Sequence, residues 1–180
     1  MPHRQTAALF AASAAACLLA CGPAAAAGAH EHGVARLDVA VDAKRVSILL
    51  ETPLDNLLGF EHAPRTDAER AKLAAVLARL RAAQTLFRID STAGCTLSNV
   101  DFQSAALQLG RAARPGKEGH GELEATFDFN CSHGARAGFV ELGLFEAFAS
   151  LQRIELQVAT PKGQLKATLR RPVSRVMLAR

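Results

Sequence analysis

The sequence predicts an α+β fold in which antiparallel strands pack on one long helix. Three observations carry this expectation. Apolar and polar residues alternate from Val34 to Val41 and again from Glu122 to Asn130, the two-residue period of half-buried strands. Thr66-Asp67-Ala68-Glu69 is a capping box, with Thr66 as cap and Glu69 reaching back from three residues on. Behind it, Leu73, Val76, Leu77 and Leu80 form an apolar stripe, and Arg70, Lys72, Arg79 and Arg81 form a wet face, to about Ala83.

The elements follow in order. Val34 to Val41 puts Ala35, Leu37, Val39 and Val41 on one side. Asp42-Ala43-Lys44 is a tight turn, and Val46 to Glu51 closes a hairpin before Pro53. Leu54, Leu57 and Leu58 sit at helical spacing in a short helix that ends near Gly59. After the long helix, Leu86 to Ile89 returns as a strand. Cys95 to Leu109 holds one or two more, with Cys95, Leu97 and Phe102 inward. Arg111 to Gly119 is a polar loop. Leu123, Ala125, Phe127 and Phe129 mark the clearest strand, which ends at Cys131. Phe139 to Leu142 is extended, and Leu144 to Leu151 is a brief helix or turn. Ile154 to Ala159 and Leu165 to Leu169 make a last hairpin around Pro161-Lys162-Gly163, and Arg170, Arg171 and Arg175 a basic tail. His32-Gly33 and His120-Gly121 each open an alternating strand followed by an extended run and a short Leu/Phe helix. This echo fits two similar halves joined by the long helix.

The 180 residues carry a net charge of +4 and neither Trp nor Tyr. The positive charge is diffuse, unlike the basic stripe with stacking aromatics that marks a nucleic-acid binder. His3 and Arg4, the apolar run Ala7 to Ala20 and the small residues after Pro23 have the pattern of a secretory signal peptide. Residues 1–29 are therefore expected to be a leader and 30–180 a single domain, periplasmic after export. Leu18-Leu19-Ala20-Cys21 also looks like a lipobox, so the chain touches a membrane only if Cys21 is acylated. Without the leader, Cys95 and Cys131 remain, and two cysteines in an exported chain are most simply a disulfide. A thiolate metal site is the rival reading.

Gly59-Phe60-Glu61-His62-Ala63-Pro64 holds a carboxylate and an imidazole side by side. Pro64 forces Ala63 out of the α region, so the pair sits on a bend. His30 and His32 are two apart and share a face if extended. His120, Glu122 and His133 lie in the second half, His133 in a loop after Cys131. Imidazoles and carboxylates of this kind are what zinc takes in a near-tetrahedral set.

His30-Glu31-His32-Gly33 before an alternating strand, then Pro53, the Gly-Phe-Glu-His-Ala-Pro string and a helix, resembles the ZrgA-like periplasmic zinc-binding proteins. The cysteine pair, with His120 and an acidic residue before the later strand, is similar as well. The resemblance covers nearly all of the chain after the leader. It implies bacterial zinc acquisition beside an ABC-type metal transporter. The histidine placement and the resemblance together put zinc at His30, His32, Glu61, His62, His120 and Glu122. Members of that family often carry a long His-rich loop, and here that position is Arg111 to Gly121 with only His120. A single ordered site is thus expected, not high-capacity scavenging.

The expected function is an exported zinc-binding accessory protein that supports zinc uptake or storage. The alternative is a non-metal interaction module of the cell envelope. No Gly-x-Ser-x-Gly, His-Glu-x-x-His or phosphate-cradling glycine loop occurs, and no enzyme is expected. Cleavage before Gly28 or before His30 leaves a free amine with histidine third. Amine, two backbone amides and an imidazole reach one ion in a plane, a set that suits Cu(II) or Ni(II).

Overall fold

The computed structural model describes residues 31–112 and 121–178. β1 (Val34–Val41) and β2 (Arg45–Pro53) form the expected hairpin, with Val41 opposite Val46 and Arg36 opposite Glu51. Asp42 makes the turn by accepting the Ala43 N–H on Oδ1 at 2.6 Å and donating its own N–H to Arg45 O at 2.8 Å. The chain then passes through α1 (Leu54–Leu58), α2 (Asp67–Arg81), α3 (Ala83–Leu86) and β3 (Phe87–Ile89). β4 (Cys95–Gln103) and β5 (Glu122–Cys131) pair antiparallel with a bulge between Leu97 and Asn99. β6 (Phe139–Leu142), α4 (Leu144–Ala147), β7 (Arg153–Thr160), β8 (Gly163–Arg170) and β9 (Arg175–Met177) complete the order.

The strands form two sheets. One has six strands in the order β4-β5-β2-β1-β7-β8, the other three in the order β3-β6-β9. The alternating residues face inward as expected: Leu37, Ile48, Leu50, Ala125 and Phe127 are all fully buried. Phe87 of β3 meets Phe127 of β5 with ring centroids 4.8 Å apart, so the sheets share one core.

The architecture is mixed and sheet-rich, which corrects the expectation of antiparallel strands on one long helix in three respects. First, β1 pairs with β7 in parallel, Leu37 opposite Leu156. Alternation is the same in parallel and antiparallel strands, so periodicity cannot give direction. The connection back to β1 is long enough for the crossover that parallel pairing requires. Second, α2 buries only Val76 and Leu80, while Leu73 and Leu77 are half-buried. Its capping box forms as expected, and the Arg65 and Thr66 N–H groups on Glu69 hold that carboxyl below its usual range. All three of its wet-face arginines have partners, Arg70 pairing with Asp67 at 2.5 Å. Arg79 donates to Ala147 O at 2.5 Å, and Arg81 lies over the Phe102 ring at 5.2 Å. Third, β5 and β6 lie in different sheets, whereas β1 and β2 are a hairpin. The sequence echo therefore does not correspond to two similar halves.

The basic tail is also structural. Arg171 donates to the carbonyls of Phe145, Phe148 and Leu151 at 2.6, 3.0 and 2.9 Å. Arg175 lies over the Phe139 ring at 4.6 Å from strand β9, an element too short for alternation to reveal.

Cys95 and Cys131 face each other across β4 and β5 and form a disulfide. The bond spans 36 residues and removes about 4 kcal/mol of chain entropy from the unfolded state. Replacing both cysteines by serine should lower unfolding stability by up to this amount in denaturant titration. An unchanged midpoint would show that the unfolded chain is not constrained by the bond.

Candidate metal centre

The site is built where α1 meets the turn before β1. α1 is five residues long, entered through Pro53 and closed by Gly59, whose φ of 73° is left-handed. A glycine suits that position because no side chain opposes the conformation. Leu54, Asn56, Leu57 and Leu58 are buried, so Asp55 is the residue of this helix that looks outward. Asn56, only 3 % exposed, accepts the Gly33 N–H on Oδ1 at 2.7 Å and donates from Nδ2 to Val34 O at 2.8 Å and Thr52 Oγ1 at 3.0 Å. These bonds fasten α1 to the residues that open β1.

Asp55 and His32 meet as a result, with the Asp55 carboxylate Oδ2 hydrogen-bonded to His32 Nδ1. Glu61 comes in from the bend after α1. One ligand atom each from His32, Asp55 and Glu61 lies within 4.8 Å of the others. The bend is held from the far side by Gly121, whose carbonyl accepts the Leu54 N–H at 2.5 Å. A Cβ at position 121 would stand 2.4 Å from both Cβ and O of Glu61, so only glycine fits there.

The electrostatics favour a cation. Asp55, by hydrogen bond and by charge, raises the His32 pKa above its ordinary value, and Glu61 adds to the effect. The second Asp55 oxygen, Oδ1, is buried and has no hydrogen-bond partner among the described residues. An unpartnered buried carboxylate oxygen is costly unless a cation or donor satisfies it. One imidazole nitrogen and two carboxylates are a donor set that zinc accepts. The ion would take the place of the proton that His32 shares with Asp55, since a ligating imidazole must be unprotonated on the ligating nitrogen.

The expected ligands divide by position. His32 and Glu61 come together, joined by Asp55. His62 follows Glu61 but is not in the group. Its ring stacks on Phe60 at 5.1 Å, and Nδ1 bonds to Ala63 O at 2.9 Å. Glu122, opposite Pro53, shares its face of β5 with Glu124, which pairs with Glu51. Burial raises the Glu51 pKa, and the charges of Glu124, Asp38 and Glu122 add to it. Glu122 therefore belongs to a carboxylate row on the outer face of the large sheet. His133 lies beyond the other end of β5, where its N–H binds Ala93 O at 2.9 Å. At 3.4 Å per residue, that strand puts it roughly 30 Å from the group. The disulfide closes the thiolate route. His30, His120, the expected leader with Cys21 and residues 28–30 lie outside the described residues.

Asp55 was not expected. In the first turn of a helix an Asp reads as a charge that complements the helix N-terminus. Only the hairpin, which brings residue 55 back to residue 32, gives it another use.

A sequence-family model described as "ZrgA family zinc uptake protein" matches residues 29–178. No curated protein matches the sequence.

The His32–Asp55 pair gives a pH test. Because the folded His32 pKa is raised, its stabilisation is complete below the ordinary histidine value of about 6.5 and is lost as pH rises through the raised value. In the metal-free protein, Asp55→Asn should move the His32 titration to lower pH, read from imidazole proton shifts by NMR. A titration that stays where it was would contradict the pairing.

Proposed function

The chain belongs to the ZrgA family of zinc uptake proteins, and on that premise we propose that it is an exported accessory protein holding zinc at His32, Asp55 and Glu61 in support of zinc uptake or storage. The observation that carries this reading is the three-residue group with a buried Asp55 oxygen that has no hydrogen-bond partner among the described residues. Zinc uptake is the family's role.

Export is supported by the signal-peptide pattern of residues 1–29, and the family match begins at residue 29. The processed protein works in the periplasm, attached to a membrane only if Cys21 is acylated. His120 precedes Gly121, which packs on Glu61. His120, His30 and His62 are candidate further ligands by their chain positions. The protein acts by binding, not by catalysis. His32 has 71 % of its side chain exposed, and an ion held at such a rim exchanges without opening the fold. That suits hand-over to a metal transporter of the ABC type. With cleavage before Gly28, the free amine with His30 third is a separate place for Cu(II) or Ni(II); cleavage before His30 would put the zinc ligand His32 third instead.

Zinc titration against a competing chelator tests the reading. His32→Ala, Asp55→Ala and Glu61→Ala should each weaken zinc binding by about tenfold or more, with the fold intact by circular dichroism. Binding should also weaken as pH falls through the raised His32 value, because the proton and the ion compete for it. Wild-type affinity in all three variants would place zinc elsewhere. A wild-type protein that binds no zinc would favour an interaction module.

A further inference from the structure

We infer that Asn56 is the positioning residue of the zinc site, setting His32 against Asp55 without touching the ion. The inference rests on the reading that His32 and Asp55 are ligands. Each ligand is one residue from the clamp: Asp55 precedes Asn56, and His32 precedes Gly33, whose N–H Asn56 accepts at 2.7 Å. Both ends of the Asn56 amide are used, since Nδ2 reaches Val34 O at 2.8 Å and Thr52 Oγ1 at 3.0 Å.

The helix does not need this amide to stay in the core. Leu54, Leu57 and Leu58 hold it there, all buried, and Gly59 closes it. An apolar side chain at position 56 would avoid burying a polar group. What the amide adds is register. An Asn that both accepts from residue 33 and donates to residue 34 fixes where along β1 the helix sits. Gly33 is held from the other side too, because its carbonyl accepts the Gln152 and Arg153 N–H groups at 2.8 and 2.9 Å. The turn that carries His32 is thus gripped between β7 and Asn56. Groups that orient a metal ligand in this way commonly change affinity by about 10–100-fold when removed.

The test is a double-mutant cycle on zinc affinity in the full chain, measured by competition with a chromophoric chelator. Asn56→Ala should weaken zinc binding by about 10–100-fold. In a His32→Ala background the same substitution should change affinity less than about twofold, because the ligand it positions is gone. Loss of thermal stability should be the same in both backgrounds. Wild-type affinity in Asn56→Ala, with affinity lost in His32→Ala, would overturn the positioning role and leave the site standing. An equal loss in both backgrounds would mean general loosening of the fold and would also overturn it. Wild-type affinity in His32→Ala would remove the site itself and the positioning role with it. If Asn56→Ala does not fold, Asn56→Ser is measured against the same criteria.

Discussion

The antiparallel pairing of β1, β2 and β5 is the constraint on which the rest depends. Antiparallel neighbours bring the start of one strand beside the end of the next. The start of β1, the end of β2 and the start of β5 therefore fall on one rim of the large sheet. Arg36 stands opposite Glu51, and Pro53 opposite Glu122. His32 precedes the first of these strands, Asp55 follows the second, and Gly121 precedes the third. Residues far apart in sequence are neighbours because of register alone. A one-residue slip would turn Leu37, Ile48 and Phe127 out of the core, so the hydrophobic core that fixes the register also fixes the rim.

The rim gathers an imidazole and two carboxylates whose ligand atoms lie within 4.8 Å of one another. Asp55 is held at an angle where one oxygen meets His32 and the other has no hydrogen-bond partner among the described residues. Glu61 is delivered by a bend that Gly121 braces from behind. The Asp55 hydrogen bond, with the charges of Asp55 and Glu61, holds the His32 proton more tightly than usual. A divalent ion replacing that proton would satisfy the same carboxylates. The basic stretch from Arg111 to Gly121 offers no clustered histidines, so the reading is of one ordered ion and not of bulk capture.

Much of this was legible in the sequence, for reasons that differ by element. The inward residues of β1, β2 and β5 follow from alternation, and the start of α2 from its capping box. The disulfide followed from there being two cysteines after the expected leader, and the structure puts Cys95 opposite Cys131. The parallel β1–β7 pair and the second sheet were not legible, because periodicity reports which face is buried and says nothing of neighbours. In the site, His32 and Glu61 stood out as metal-binding residue types. Asp55 and Asn56 did not, since Asp and Asn near a helix start have ordinary local uses. Their role comes from contacts 23 residues away in the chain.

The central claim is that zinc sits on this rim. The most direct measurement is anomalous scattering at the zinc edge from crystals of the zinc-loaded, processed protein. The account predicts an anomalous peak bounded by His32, Asp55 and Glu61, with ligand distances of about 2.0–2.2 Å. A zinc peak elsewhere in the molecule, with the His32–Asp55 hydrogen bond still intact, would contradict it.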